Sequence, residues 1–410
     1  MPSMSSASRP ARDHHRVLIV GGGTAGITAA ARLRRAGVTD IAVLEPADVH
    51  WYQPLWTLVG GGRAPLDITR RPEASVMPRH VRWIREAATA VDPEARTVTT
   101  AADRTIGYDY LVMAPGLQLD WDKVPGLDSA VGHGGVSSNY SFEHAPYTWE
   151  LIRGLRSGTA VFTQPAGPVK CGGAPQKIAY LAADHWRRQG VLDRIRVILV
   201  LPADSMFGVP VWRRALEQVA ARYGIEVRLN SEMTAVDGAA RELTIADHAA
   251  DTEESLTFDL LHAVPPQSAP DWVKRSPLAD PASPYGYVEA DKHTLQHPGH
   301  RNVFALGDVA NLPTSKTGAA VRKQAPVVVA NLLAEMKGER RDGRRRYDGY
   351  TSCPLVTARN RMLLAEFDYD QNPAPSIPLL DTTKERRDMW LLKRYGLPAL
   401  YWHGMLKGRA

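Results

Sequence analysis

The amino-acid sequence predicts an α/β protein in which two Rossmann-like units of alternating strands and helices are followed by a distinct C-terminal segment. The first unit begins with the strand-like run RVLIV, the glycine loop GGGTAG and the helix-like run ITAAARLRRAG. Strands that alternate with helices of this length are typical of a parallel sheet with helices on its faces. The second unit has strand-like runs at 159–165, 195–201 and 225–229 around helix-like runs at 176–189 and 210–223.

Composition and charge limit the classes of function. The chain has 410 residues, of which 44% are hydrophobic and 23% are charged, and it carries a formal net charge of +6. It is long enough for two or three domains, and its mild positive charge suits an anionic substrate or a membrane surface. No apolar run reaches the ~18 residues of a membrane span, and the N-terminus lacks the apolar core of a secretory signal. No basic-aromatic motif supports nucleic-acid binding.

The glycine loop of the first unit has the spacing of a dinucleotide site. Gly21 allows a tight turn, Gly23 lets a pyrophosphate approach the backbone, and Gly26 lets the helix pack on the strand. The helix N-terminus then presents free N–H groups to the phosphates. Glu45 ends the next strand, nineteen residues after Gly26, where a carboxylate accepts the hydroxyls of an adenosine ribose. The alternative is an ordinary glycine turn, but the flanking strand, helix and acid favour a nucleotide.

Further segments of the first unit suggest a ligand-binding edge. HWYQPLWTLVGGG is either a packed loop or a loop that lies along a flat cofactor ring with Gln53 as a polar contact, and chemistry alone leaves both open. YDYLVMAPGLQ is a strand that ends in a glycine turn at Gly116, and VRWIREAATAVDPEARTVTT predicts paired strands. The buried strand in NVFALGDVAN ends at Gly307 and Asp308, at the edge where open α/β sheets bind ligands. A helix-capping aspartate is the alternative for Asp308.

The chain has two cysteines, which are either unrelated buried thiols or one redox pair. Cys171 lies in KCGGAPQK, where a second nucleotide-binding unit would have its phosphate loop, but the G-x-G-x-x-G spacing is missing. Lys170, Lys177 and the start of a helix surround it, and cations and helix N-termini lower a thiol pKa. Cys353 lies in TSCPL, where the following proline disfavours a helix. These flanking sequences favour a redox pair in a unit that has lost its pyridine-nucleotide site.

GGGTAG with Glu45, the APG turn and FALGDVAN together resemble the flavoproteins with two dinucleotide-binding domains, in which the second domain is inserted in the first. Within this group, WYQPLWTLVGGG, GPVKCGGAPQKIAYL, PTSKTGAAV and YDGYTSCPLVT resemble the sulfide:quinone oxidoreductases of the two-cysteine, mitochondrial-like type. The resemblance runs from residue 16 to the C-terminus. The implied bounds are 14–150 and 291–345 for the FAD-binding domain, 151–290 for the second Rossmann-like domain with Cys171, and 346–410 for a segment with Cys353 and membrane- and quinone-facing helices.

The resemblance also implies roles for individual residues. Cys171 and Cys353 would be the catalytic redox pair, and no metal is expected. Ala88 would contribute backbone to the adenine pocket, and Lys316 would favour an anionic reduced flavin from its pyrimidine side. The implied FAD-binding residues are Gly21, Gly23, Thr24, Gly26, Glu45, Gln53, Ala88, Gly116, Gly307, Asp308 and Lys316.

The implied reaction begins when hydrosulfide attacks Cys353 in a bridge to Cys171, which leaves a persulfide and frees Cys171 as a thiolate. Electrons then pass through FAD to a membrane quinone, and the persulfide sulfur passes to a small acceptor such as sulfite, glutathione or a second sulfide. The open alternatives are a type II NADH:quinone oxidoreductase, a sulfide dehydrogenase that reduces a cytochrome subunit, and a non-catalytic, flavin-bound persulfide sensor.

The C-terminal stretch TTKERRDMWLLKRYGLPALYWHGMLKGRA is rich in basic and aromatic residues, as interfacial helices are. Leu397, Leu400, Tyr401 and Met405 fall on one helical face, and Pro398 is expected to separate two short helices. The alternative is a terminal hairpin packed on the protein's own core. Given a quinone acceptor, we expect a peripheral protein on the cytoplasmic side of a bacterial inner membrane, or on the matrix side in mitochondria. A homodimer is a further expectation.

Overall fold

The computed structural model of the chain describes residues 13–340 and 343–410 and has the predicted α/β architecture. Residues 1–12, where no secretory signal is expected, lie outside the described residues. The strands are β1 Asp13–Val20, β2 Ile41–Leu44, β3 Val49–Trp51, β4 Arg70–Pro72, β5 Arg82–Ile84, β6 Ala88–Asp92, β7 Thr97–Thr100, β8 Thr105–Met113, β9 Gln118–Leu119, β10 Val136–Ser137, β11 Gly158–Thr163, β12 Ile195–Val200, β13 Glu226–Arg228, β14 Ser231–Asp237, β15 Glu242–Asp247, β16 Thr252–Thr257, β17 Leu260–His262, β18 Gln267–Ser268, β19 Val303–Ala305, β20 Thr351–Ala358 and β21 Arg361–Phe367. The α-helices are α1 Thr24–Arg35, α2 Trp56–Gly60, α3 Glu73–Val76, α4 Leu127–Ala130, α5 Ala145–Gly154, α6 Ala174–Arg188, α7 Pro210–Tyr223, α8 Asp271–Lys274, α9 Gly318–Met336, α10 Arg387–Leu391 and α11 Leu397–Ala399.

The first sheet is assembled from two distant parts of the chain. Its strand order is β5-β2-β1-β8-β7-β6, and β19 pairs in parallel with β8, with Val303 opposite Leu111. Because β19 follows the whole second unit in sequence, the chain returns to its first sheet after that unit, as the predicted insertion requires. β1, β2 and β19 are parallel, so the residues that follow them meet at one edge of the sheet.

The second sheet has the order β10-β17-β11-β12-β13 and is parallel throughout. Its helices α6 and α7 match the predicted runs at 176–189 and 210–223 to within two residues. Since β10 begins at Val136, this sheet starts before residue 151, which is the boundary that the sequence suggests for the second domain. The domain bounds themselves stay a prediction.

The antiparallel hairpin β20–β21 brings the C-terminal segment into the core. Its pairing places Cys353 opposite Ala365, and both are buried. β20 packs against α6, the helix that follows Cys171. One hydrophobic cluster joins the first sheet, α6 and this hairpin. The two cysteines therefore meet because the hairpin packs on the helix of the inserted unit.

The C-terminal helix differs from its prediction in two respects. Helical residues run without interruption from Arg387 to Lys407, so Pro398 does not separate two helices. Wide i→i+5 turns on both sides of α11 accommodate the proline ring, which would clash with a carbonyl in a regular α-helix. The prediction of a single apolar face on the outside of this helix is also wrong. Tyr401 and Met405 are 3% and 5% exposed and pack inward, whereas Leu400 is 39% exposed.

Candidate active site

The glycine loop follows β1 and leads into α1. Gly21 has a φ of 100°, a conformation that favours glycine, and a Cβ added at Gly26 would lie 1.8 Å from the oxygen of Gly21. A Cβ added at Gly23 would meet nothing within 4 Å, so that position is open. The loop is therefore tight where helix meets strand and open where a pyrophosphate would lie.

Glu45 lies beside this loop at the end of β2. Its carboxylate accepts hydrogen bonds from the backbone N–H groups of Gly22, at 2.7 Å, and Ala47, at 2.8 Å. Burial raises the pKa of Glu45, while these two hydrogen bonds favour the carboxylate form. The edge of the first sheet from Glu45 past the glycine loop to Gly307 is the candidate cofactor groove. The Glu45 side chain is thus held at the end of this groove where the sequence predicts recognition of the adenosine ribose.

Three other predicted cofactor residues lie at strand ends or turns. Ala88 begins β6 and is buried. Gly116 has a φ of 77°, and a Cβ added there would meet nothing within 4 Å. Gly307, with a φ of 76°, packs against α1, since its added Cβ would lie 2.9 Å from that of Ala25. Their contacts with a cofactor stay predictions.

Asp308 and Lys316 line a pocket at the other end of the groove, next to Gly307. Burial raises the pKa of Asp308, and the charge of Lys316 opposes that effect. The Lys316 ammonium donates to the backbone oxygens of Asp308, at 2.6 Å, and Ala310, at 3.1 Å, and lies 3.6 Å from the ring centre of Tyr287. Burial lowers the pKa of Lys316 to about 8. A buried cation therefore lies where the sequence predicts the flavin.

The cysteine pair is joined to this end of the groove. The N–H of Cys171 donates to the backbone oxygen of Lys316 at 3.0 Å, and the φ of Cys171 is 52°, which is rare for a residue with a side chain. The Lys177 ammonium donates to the Cys171 sulfur at 3.0 Å. A hydrogen bond from Cys353 and the charge of Lys177 hold the pKa of Cys171 well below its usual value, although burial opposes them. The same hydrogen bond and burial raise the pKa of Cys353, so the shared proton resides on Cys353.

Gly173 makes room for the second cysteine. A Cβ added at this position would lie 2.7 Å from the sulfur of Cys353 and 2.7 Å from a methyl carbon of Leu355. A glycine at the start of α6 therefore lets the hairpin approach closely. Within KCGGAPQK, Gly173 therefore serves the contact between the cysteines.

The adjacency of Lys170 and Cys171 in sequence suggested that the ammonium would lie beside the sulfur, but Lys170 does not contact it. Its ammonium donates to the side-chain oxygen of Gln53 at 2.7 Å and lies 5.5 Å from the ring centre of Trp56. Burial lowers the pKa of Lys170 to about 8. Because the backbone turns at Cys171, whose φ is 52°, the Lys170 side chain is directed to the aromatic loop, while Lys177 reaches the thiol from α6. Gln53 is thereby held in the predicted aromatic segment near a second buried cation.

Lys393, which comes from the C-terminal helix, is a residue of the site that was not predicted from the sequence. Its ammonium donates to the backbone oxygen of Pro54 at 2.7 Å, and the side chain is buried. Burial and the charge of Lys177 lower the pKa of Lys393 to about 8, while Cys171 and Cys353 act in the opposite direction. A lysine inside the apolar run MWLLKRYGLP was the available signal, because a buried lysine needs a nearby acceptor or anion.

Two Rossmann-like sheets with an adjacent pair of cysteines between them and the C-terminal hairpin are typical of a flavin-linked thiol oxidoreductase as the class of protein. Residues 15–326 match the family "Pyridine nucleotide-disulphide oxidoreductase". The mitochondrial sulfide:quinone oxidoreductase of Mus musculus is 41% identical over 401 residues, which cover 97% of this chain and 88% of that protein. The enzyme of the same name from Dictyostelium discoideum is 41% identical over 397 residues, which cover 96% of this chain and 86% of that protein. The chain therefore belongs to the sulfide:quinone oxidoreductases within that family, as its motifs predict.

A solved structure supports the same fold. The sulfide:quinone oxidoreductase of Aquifex aeolicus superposes with a TM-score of 0.79 at 21% identity and covers 97% of this chain and 92% of that chain. Proteins of this family bind FAD, so the predicted cofactor is confirmed. The groove fits it, because an open glycine loop and a fixed carboxylate lie at one end, and the buried Lys316 ammonium, bonded to the backbone oxygen of Asp308, lies at the other. Which residues contact FAD stays a prediction.

Replacement of Lys177 by methionine tests the charge balance of the cysteine pair. A hydrogen bond to a charged group contributes about 1.5–3 kcal/mol, so its loss should slow alkylation of Cys171 at pH 7 by about tenfold or more. The midpoint of alkylation against pH should move upward, because the thiolate loses its cation. Alkylation of the reduced protein across a pH series, followed by mass spectrometry, measures both. Lys337→Met, at an exposed position, is the control, and an unchanged midpoint in Lys177→Met would contradict the assignment.

Proposed function

We propose that this chain is an FAD-dependent enzyme that oxidises hydrogen sulfide at Cys171 and Cys353 and passes the electrons to a membrane quinone. The observation that carries the proposal is the Lys177 ammonium, which donates to the Cys171 sulfur at 3.0 Å and favours a thiolate there, in line with the lowered pKa of Cys171 and the raised pKa of Cys353. In thiol–disulfide exchange the sulfur of lower pKa leaves faster. Cys171 is then the leaving sulfur, and Cys353 is the one that receives the substrate sulfur.

The reaction starts from the oxidised protein, in which a disulfide joins the two cysteines. Hydrosulfide attacks the sulfur of Cys353, so a new S–S bond forms there, the bond to Cys171 breaks, and Cys171 leaves with the electron pair as a thiolate. The Lys177 ammonium, 3.0 Å from that sulfur, balances the new charge. A small nucleophile such as sulfite, glutathione or a second sulfide then takes the outer sulfur of the persulfide and releases Cys353 as a thiolate.

Bound FAD supplies the two-electron chemistry that connects the cysteines with the quinone. Asp308 and Lys316 would hold its flavin end. The hydrogen bond from the backbone N–H of Cys171 to the backbone oxygen of Lys316 would keep the thiolate beside that end. Lys393 adds a second ammonium near the thiols from the C-terminal helix. Burial of these groups strengthens their electrostatic interactions and keeps water away from the reacting sulfur atoms.

Peripheral attachment to a membrane is supported by the location of exposed apolar side chains. Arg394 lies in the C-terminal helix and donates to the backbone oxygen of Arg63 at 3.1 Å. Burial lowers the pKa of Arg63, and the charges of Arg359 and Arg188 lower it further, which marks a concentrated positive charge. Basic and apolar groups side by side suit an anionic lipid surface. The exposed apolar residues of the C-terminal segment, which are between 38% and 97% exposed, are Ile377, Leu379, Leu391, Tyr395 and Leu400.

We propose that this surface attaches the protein to the cytoplasmic side of a bacterial inner membrane, or to the matrix side in mitochondria, where the quinone is reached. Within residues 13–340 and 343–410, no helix combines the length and apolar character that a membrane span requires. The proposal also includes a small sulfur acceptor, which is sulfite, glutathione or a second sulfide, and assembly of the protein as a homodimer.

Anaerobic titration of the purified protein tests the reaction. Sulfide alone should bleach the flavin absorbance, a short-chain quinone should restore it, and NADH should have no effect. Cys171→Ser should retain FAD but lose bleaching by sulfide, because it lacks the leaving sulfur that carries the electrons. Bleaching by NADH alone would instead favour the type II NADH:quinone oxidoreductase, and bleaching without turnover by quinone would favour a persulfide sensor.

Sedimentation with anionic vesicles tests the attachment surface. The double variant Leu391→Glu/Tyr395→Glu should bind at least about tenfold more weakly than the wild type, because two exposed apolar side chains become anions. Ile68→Glu changes an apolar residue that is 40% exposed on the first domain and serves as the control. Equal vesicle binding by all three proteins would reject this surface.

A further inference from the structure

A buried chain of hydrogen bonds links the C-terminal helix to the glycine loop. The Tyr401 hydroxyl lies 2.8 Å from the hydroxyl of Thr24, the first residue of α1, and 2.6 Å from Nε2 of His50. Nδ1 of His50 lies 3.1 Å from a carboxylate oxygen of Glu73. Tyr401, His50 and Glu73 are all buried. These hydrogen bonds therefore connect residues that are far apart in sequence around one wall of the cofactor groove.

Glu73, at the far end of this series of hydrogen bonds, also lies at the glycine loop. The second carboxylate oxygen of Glu73, Oε1, has no hydrogen-bond partner among the described residues. A Cβ added at Gly22 would lie 3.1 Å from this oxygen, and the charge of Glu73 contributes to the raised pKa of Glu45. A buried oxygen without a donor is rare in native proteins. Its position beside the open loop is one where a donor of a bound cofactor would satisfy it.

The end of the C-terminal helix is fastened to the same part of the first domain. The Arg71 guanidinium lies 4.4 Å from the ring centre of Trp402, and the Lys407 ammonium donates to the backbone oxygen of Ser75 at 3.4 Å. A Cβ added at Gly408 would lie 2.9 Å from the backbone of Ala31 in α1. These contacts hold the helix against α1 and α3, so its Tyr401 is fixed relative to the loop.

We propose that Tyr401 is a positioning residue for FAD, through which the C-terminal helix and the dinucleotide site are energetically coupled. The hydroxyl orients Thr24 at the first turn of α1, where the pyrophosphate would meet the helix N-terminus. Coupling between two binding or folding events is reciprocal, so bound FAD should also stabilise the docked helix. The inference rests on FAD at the glycine loop and assigns the helix a role apart from membrane attachment.

Release of FAD from the holoenzyme tests the proposal. Tyr401→Phe removes the hydroxyl that joins Thr24 and His50, whereas Tyr395→Phe removes one from a tyrosine of the same helix that is 59% exposed. After dilution, FAD should leave Tyr401→Phe about tenfold faster than the wild type, within the range of 5- to 150-fold typical of coupled sites. The rise of free-flavin fluorescence measures the rate. Tyr395→Phe should match the wild type, and equal rates in all three proteins would overturn the proposal.

Limited proteolysis gives a second readout that does not depend on the folding of a variant. In the wild type, removal of FAD should speed cleavage between Leu391 and the C-terminus by about tenfold, because the docked helix loses its coupled partner. A folded Tyr401→Phe should show less than about a twofold difference between the two forms. Equal cleavage of the wild type with and without FAD would overturn the coupling. A wild-type protein that binds no FAD would contradict the cofactor assignment instead.

Discussion

The charge pair between the Cys171 thiolate and the Lys177 ammonium is the interaction on which the rest of the site depends. The Lys177 side chain is buried and Cys171 is partly buried, and a buried charge without a partner is strongly unfavourable. Burial by itself would lower the pKa of Lys177, but the interactions of the ammonium with Cys171 and Cys353 together outweigh burial and raise it. The fold therefore has to bring a thiol that can donate a hydrogen bond to this pair, and the hairpin that carries Cys353 does so. Gly173 is the residue that permits its approach.

Local patterns in the sequence were sufficient for the elements that border the site. The bounds of α7 agree with prediction because Pro210 begins the helix and Gly224, in the left-handed conformation, ends it. The glycine loop and Glu45 likewise depend on neighbours in sequence and on the edge of a parallel sheet. The pairing of the cysteines was different, since their flanking sequences and the resemblance to a family indicated it, whereas their spacing did not.

Contacts between distant segments explain what the sequence did not reveal. Lys170 lies next to Cys171 in the chain but reaches Gln53, because the direction of a side chain depends on the local backbone. Lys393 lies close enough to the thiols to interact with their charge only because the C-terminal helix packs on the aromatic loop at Pro54. The amphipathic pattern of that helix was visible, but it has apolar side chains on two sides. Only tertiary packing determines that Tyr401 lies inside and Tyr395 outside.

One helix thus carries three kinds of contact along its length. Lys393 approaches the cysteine pair, Tyr401 contacts the glycine loop, and Leu391 is exposed on the opposite side. Because the helix is a continuous run of turns, a displacement at its outer surface moves the groups on its inner side as well. Pro398 lies between Lys393 and Tyr401, and each of these two residues belongs to one of the wide turns that flank the proline, where such a helix bends most easily. The same element therefore connects the outer surface with the groups that lie beside the thiols and beside the cofactor loop.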